Sequence, residues 1–284
     1  MTPVRPWASG AALMLISLSW LFGCRGTKPE HPPQEAPLQR LGVFYGWPSL
    51  FNGATSLDQA AAGLGRYHVV VLGAGLQSST HGDHAKTRTI IKTLGAGDTT
   101  VYGYIPLGAS SGLDQAAIAQ QAAAWKAMGV DGVFFDEAGH DFGNTRQRQN
   151  GAFDAAHKLG LRVFANAFDP RDLFSANVSH HNPGGAATVL SHGDSYLYES
   201  FGLIRGEPEE ESFRREKLVK LEVARELGLG LYGVTTSATT SGFQPQAWRQ
   251  VCGLARAGRL NGLGWGELHF AAGDNKMPPR PDCE

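Results

Sequence analysis

Apolar residues along this chain follow two rhythms. Short runs in which almost every position is apolar alternate with longer stretches in which apolar side chains recur every three or four residues. The first is the pattern of strands buried on both faces of a parallel sheet, the second that of amphipathic helices. The runs predict eight strands, at Leu41–Tyr45, His68–Gly73, Val101–Pro106, Gly132–Asp136, Arg162–Ala167, Ser195–Glu199, Leu229–Thr235 and Gly262–Trp265. The intervening stretches predict helices such as Asp114–Met128, where Ile118, Ala122 and Trp125 fall at i, i+4 and i+7, and Glu207–Leu227, with Pro208 in its first turn. Glu209, Glu210 and Glu211 then sit where acids complement a helix dipole, and they read as a solvated face. Eight strands alternating with helices over about 240 residues match a single-domain (β/α)8 barrel, an α/β fold. A doubly wound open sheet is the alternative, but no G-x-G-x-x-G opens a helix after the first strand.

The ends of the chain change the picture of where it works. Arg5 precedes an apolar run, Ala11–Phe22, that leads into Gly23 and Cys24. Twelve helical residues reach about 18 Å, well short of the roughly 30 Å core of a bilayer, so residues 1–23 read as an export signal rather than a span. Leu21-Phe22-Gly23-Cys24 resembles a bacterial lipobox, although Phe22 is bulkier than that pattern favours. The resemblance implies a lipid on Cys24 and a cell-envelope location, anchored to the membrane by lipid only; plain secretion is the alternative. Residues 24–40 hold four prolines and little that is apolar, the composition of a tether, which leaves 41–284 as the folded domain. Of three cysteines, Cys252 and Cys283 remain once Cys24 is lipidated, an even pair in an oxidising compartment and therefore a candidate disulfide.

Composition sets limits on partners. A net charge of −1, from 25 basic and 26 acidic residues, gives no general attraction to nucleic acid or to an anionic membrane surface. A hydrophobic content of 42% in 284 residues is enough for one large core.

Candidate chemistry concentrates at the predicted strand ends, which a barrel would gather at one mouth. The segment GVDGVFFDEAGHDFG, 129–143, passes abruptly from a buried run into Asp136 and Glu137. Other strand ends carry Tyr45 and Trp47, Tyr104, Asn166 and Asp169, Tyr198 and Glu199, and Trp265 and Glu267. Carboxylates among aromatic rings suit glycosidic bond cleavage: one acid protonates the leaving oxygen, another attacks or stabilises the anomeric carbon, and rings stack on sugars. A surface lipoprotein that binds sugar without turning it over would show the same rings. A metal-dependent barrel hydrolase would draw on His81, His84, His140, His180, His181 and His192, but no H-E-x-x-H occurs and no H-x-H follows the first strand. No metal and no cofactor is expected. Ser110 and Ser111 lack a G-x-S-x-G setting, and Ser237–Ser241 reads as a polar loop.

Five segments together, GVFYGWPS, VYGYIPLG, GVDGVFFDE, RVFANAF and YLYES, resemble the spherulin-4-like glycoside hydrolases, barrels related to microbial endo-α-1,4-N-acetylgalactosaminidases and polygalactosaminidases. The resemblance runs from about Leu41 to Trp265. It implies that the acids of the FFDE and YES segments, Asp136, Glu137 and Glu199, are essential, and that the substrate is a polysaccharide of α-1,4-linked galactosamine or N-acetylgalactosamine. By analogy with α-retaining barrel glycosidases, Asp136 is the nucleophile and Glu199 the acid/base, with Glu137 tuning a neighbour or holding a sugar hydroxyl or amine. The insertion Ser179–His192 and the loop Gln77–His84 have no counterpart in this resemblance.

Overall fold

Eight strands pair in parallel and close on themselves in a computed structural model that describes residues 37–238, 242–278 and 282–283. They are β1 (Gln39–Phe44), β2 (Val69–Leu72), β3 (Thr100–Pro106), β4 (Gly132–Asp136), β5 (Arg162–Asn166), β6 (Ser195–Glu199), β9 (Gly230–Val234) and β10 (Gly262–Gly264), and β10 returns to pair with β1. Two further strands, β7 (Leu203–Ile204) and β8 (Glu207–Pro208), form a separate antiparallel hairpin between β6 and β9. The main helices are α1 (Leu57–Leu64), α2 (His84–Leu94), α3 (Gln115–Met128), α4 (Arg146–Lys158), α6 (Glu211–Lys220) and α8 (Pro245–Ala257), with short α5 (Arg171–Phe174) and α7 (Glu222–Glu226). The expected (β/α)8 barrel is present.

Alternation along each strand divides the core in two. Leu41 and Val43 of β1, Val69 and Val71 of β2, Tyr102, Phe134, Phe164, Leu197 and Tyr232 fill the barrel interior. Residues of opposite parity, such as Val133, Phe135, Val163, Ala165, Tyr196 and Tyr198, face the helices. The period of two in a strand makes this division, and each large side chain so buried contributes roughly 1.5–3 kcal/mol. Helix α3 shows how tightly the outer layer is built. Ile118, Ala122 and Trp125 are its buried face, Asp114 accepts from the Ala117 amide at 2.7 Å as N-cap, and Gly129 ends it in the left-handed region. Trp125 lies flat on Gly103 of β3, where a Cβ would fall 2.1 Å from the indole, and its Nε1 donates to the Tyr104 carbonyl at 3.0 Å. Only glycine permits that approach.

Two sequence expectations change. The domain begins earlier than Leu41, because Gln39 and Arg40 of the expected tether already pair with Gly262 and Leu263 and close the barrel. The helix expected from Glu207 begins only at Glu211. Arg205 and Gly206 both take positive φ, the two-residue turn that suits a hairpin, so Glu207 and Pro208 become its second arm. The export signal, Cys24, the tether up to residue 36 and Thr239–Ser241 of the polar loop lie outside the described residues. Cys252, on α8, and Cys283 are bonded to each other, with their Cα atoms 5.5 Å apart. Among the described residues no helix is long and apolar enough to cross a membrane.

Candidate active site

Parity and strand order together build the site. Asp136, Asn166 and Glu199 are the last residues of three adjacent strands, β4, β5 and β6. Each follows an interior residue by two positions, Phe134, Phe164 and Leu197 respectively, so all three point into the mouth of the barrel. Asn166 Nδ2 donates to Asp136 Oδ1 at 2.9 Å and to Glu199 Oε2 at 2.8 Å. One amide nitrogen that reaches both carboxylates keeps Asp136 Oδ1 and Glu199 Oε2 within two hydrogen-bond lengths of each other.

The two acids are held differently. Asp136 also accepts from the Glu137 amide at 2.9 Å and from the Tyr104 hydroxyl, three donors that favour its ionised form against the burial that raises its pKa. Glu199 has the Asn166 bond; burial and the charge of Asp136 push its pKa up, and Lys217 pulls it down. Glu137 is more open to solvent, and its pKa is raised by desolvation and then by Asp136 and Asp141. The residues that follow the two strand-end acids break the strand geometry sharply. Glu137 has φ 55° and Ser200 φ 60°, left-handed conformations that cost a non-glycine residue roughly 1–2 kcal/mol. Gly108, after β3, makes the space for Glu137: a Cβ there would lie 2.4 Å from Glu137 Oε2.

Above the acids opens a cleft of about 350 Å³, within the 300–1,000 Å³ usual for small-molecule sites. Five carboxylates line it, Asp136, Glu137, Asp141, Glu199 and Glu209, together with one ammonium, Lys217. Its apolar surface comes from Phe142, Phe168, Ile204 and Phe213. Phe142 is 41% exposed and Phe168 62%, so flat apolar faces stand open at the rim. These rings border the cleft, and the aromatic residues expected from strand ends are not among its lining.

The other sequence candidates fall into three groups. Tyr45 and Tyr104 close the floor, ring centroids 5.1 Å apart, over the barrel interior; burial raises both pKa values, with Asp136 the next cause. Tyr198 points the other way, into the helix layer, and its hydroxyl donates to Glu209. Trp265 lies outside the barrel wall, edge-on to Phe243 at 5.1 Å and to Trp248 at 5.9 Å. Tyr198 and Trp265 are therefore placed in the core rather than in the cleft. Glu267 is buried and ties its own loop, accepting from the amides of His269 at 2.8 Å and Ala271 at 2.6 Å. Trp47 is half-exposed, packs on His81, and is not part of the cleft. Asp169 pairs with Arg171 at 2.6 Å and Lys220 at 3.3 Å, which hold its pKa down at about 2 against the opposing effect of burial.

Glu209 departs furthest from its expected role. Far from being solvated, it is buried, accepts from the Gly202 amide at 2.8 Å as well as from Tyr198, and fastens the β7–β8 hairpin to β6. The histidines are dispersed. His140 stacks on His181 at 4.5 Å and meets Asp172 at 3.1 Å, while His84 Nδ1 contacts the Leu76 carbonyl. Among the described residues no three of His, Cys, Asp or Glu come together to hold a metal.

No family model matches the chain, and no curated protein matches it by sequence. Solved structures do. The glycoside hydrolase domain of PelA from Pseudomonas aeruginosa is 15% identical with a TM-score of 0.50, covering 85% of this chain and 100% of that one. An endo-β-N-acetylglucosaminidase from Cordyceps militaris is 14% identical with a TM-score of 0.54, covering 87% and 88%. A D-psicose 3-epimerase is 11% identical with a TM-score of 0.47, covering 84% and 89%. The shared property is the barrel. At such identities the likeness extends to fold and not to chemistry, which many reactions share. Glycoside hydrolase domains are among the barrels this chain resembles.

Proposed function

We propose that the chain is an exported glycoside hydrolase that cleaves within an extracellular or cell-envelope polysaccharide by a retaining, two-carboxylate mechanism. The observation that carries this reading is the Asp136–Asn166–Glu199 bridge on the floor of an acidic cleft with open aromatic rims. Asp136, whose carboxylate form three donors favour against burial, attacks the anomeric carbon while Glu199 gives its proton to the departing glycosidic oxygen. The glycosyl ester on Asp136 is then released by water, whose proton returns to Glu199. Burial and the neighbouring Asp136 charge favour a protonated Glu199, which supports this order of roles. Glu137, facing the cleft, is suited to hold a sugar hydroxyl or amine.

The favoured substrate is α-1,4-linked galactosamine or N-acetylgalactosamine polymer. That choice rests on the spherulin-4-like resemblance, and the excess of carboxylates in the cleft agrees with a sugar that carries amines. Export rests on the apolar N-terminal run and on Cys24; the Cys252–Cys283 bond agrees with an oxidising compartment.

The test is reducing-end release from acetylated and deacetylated galactosamine polymers, with and without Asp136→Asn and Glu199→Gln. Release by the wild type and a loss of at least about 10³-fold in each variant is expected. Binding without release would favour a sugar-binding lipoprotein, and full activity of Glu199→Gln would remove Glu199 from the mechanism.

A further inference from the structure

Among the described residues Lys217 is the one cation lining a cleft of five carboxylates, and it makes no ion pair with them. It stands on α6 with 5% of its surface exposed, and its Nζ lies 4.1 Å from the Tyr198 ring centroid and 5.2 Å from that of Phe168. Among the described residues no acceptor lies within hydrogen-bonding distance of that ammonium. The nearest candidate by charge, Glu209, is already engaged by the Tyr198 hydroxyl and the Gly202 amide. The Tyr198 ring covers one side of the ammonium as a cation–π contact, and its other donors reach the cleft, where a ligand can supply an acceptor. The open side of Lys217 is the cleft.

Three kinds of sugar substituent could meet it. A free amine directly against Lys217 would face a like charge, although the carboxylates could hold one elsewhere in the cleft. A uronate carboxylate would pair with Lys217 but would enter a cleft lined by Asp136, Glu137, Asp141 and Glu209, acids of its own kind. An acetamido group is neutral, presents a carbonyl oxygen to the ammonium and carries a methyl group. Beside Lys217 the cleft offers surfaces for that methyl: Phe168 and Phe213, ring centroids 5.8 Å apart, and Ile204. We infer that Lys217 is a specificity-determining residue that donates a hydrogen bond to the acetamido carbonyl of an N-acetylated sugar seated beside Glu199, with Phe168 and Phe213 packing on its methyl. This rests on the glycosidase reading of the cleft and adds to it the substituent required at one subsite. The charges facing Lys217 are consistent with a donor at neutral pH: burial lowers its pKa to about 8, while Glu209, Glu199 and Asp169 oppose the fall.

The experiment measures binding apart from turnover. In an Asp136→Asn background, dissociation constants are determined by titration calorimetry for α-1,4-linked galactosamine oligosaccharides, fully acetylated and fully deacetylated, and for an α-1,4-linked oligogalacturonate. The acetylated oligosaccharide is expected to bind roughly tenfold or more tighter than the deacetylated one, the scale of a hydrogen bond from a charged donor. Lys217→Met should abolish that preference and Lys217→Arg should restore part of it. Phe168→Ala, at a position 62% exposed and so able to tolerate truncation, should weaken the preference severalfold with Lys217 intact. Equal affinities in the parent, or a preference unchanged by both Lys217→Met and Phe168→Ala, overturns the inference. Tightest binding of the galacturonate assigns Lys217 to a carboxylate and overturns the acetamide assignment. A wild-type chain that hydrolyses none of the polymers defeats the glycosidase reading by itself, because the binding preference is read without hydrolysis.

Discussion

Removing the Asn166 amide should uncouple the two acids, and the size of the effect can be worked from the bridge. In Asn166→Ala, Asp136 and Glu199 each lose a hydrogen bond of 2.8–2.9 Å that stabilises the carboxylate. A bond to a charged group is worth about 1.5–3 kcal/mol, or roughly one to two pKa units on each acid. Both carboxyl pKa values, already raised in the folded chain, should rise further. A carboxyl whose folded pKa lies above its unfolded value contributes stability that is complete below the unfolded pKa and is lost as pH rises through the folded one. Asn166→Ala should therefore destabilise little at pH 4 and by about 1.5–3 kcal/mol or more at pH 7. Melting temperature against pH reads this without a substrate, and reducing-end release should show the acid limb of kcat/KM moved up by one to two units. A variant whose melting curves run parallel to wild type at both pH values, with the acid limb unmoved, would show that Asn166 does not bridge the pair.

Three further outcomes follow from the same geometry. Glu199→Gln removes a carboxylate that burial and Asp136 make costly to ionise, so its melting temperature should rise by a few degrees at pH 7 and by less at pH 4, as scanning calorimetry would show; a fall at pH 7 would contradict the raised pKa. Gly108→Ala keeps a backbone conformation, φ −52° and ψ 145°, open to any residue, yet its Cβ would displace Glu137; activity on a galactosamine polymer should fall roughly tenfold with a melting temperature near wild type, and unchanged activity would remove Glu137 from the reaction. Reduction of Cys252–Cys283, 31 residues apart in sequence, should cost about 3–4 kcal/mol in urea unfolding with reductant, and an unchanged midpoint would show that the bond does not constrain the unfolded chain.

The barrel and its acid pair were legible because both depend on strand periodicity. Phe134 and Asp136, Phe164 and Asn166, and Leu197 and Glu199 are each two residues apart, so the residues that fill the interior also aim the catalytic candidates. The same rule, applied strictly, would have placed Tyr198 correctly. It is adjacent to Glu199 and must face the opposite way, against the helices. Position at a strand end is a weaker guide than parity. Trp265 stands just past β10 with its ring packed against α8, and Glu267 satisfies two amides of its own loop.

What the sequence hid came from the loops. Phe142, Phe168, Ile204 and Phe213 reach the rim from four separate segments, and no local pattern links them. Glu209 was concealed by a rule that is sound for helices: acids in a first turn are ordinarily solvated and favourable. The rule failed because Arg205 and Gly206 turned the chain into a hairpin, moved the helix start to Glu211 and left Glu209 facing inward on Tyr198. That displacement matters to the chemistry of the cleft. Had Glu209 been solvated and its place apolar, Lys217 would be a buried ammonium with one fewer opposing charge, and its pKa would fall further toward a neutral amine. With Glu209 held by two other donors, Lys217 keeps its charge yet gains no hydrogen bond, which leaves its donors free for the cleft. An acid that the sequence places in a solvated helical turn thus becomes the first counter-charge of Lys217.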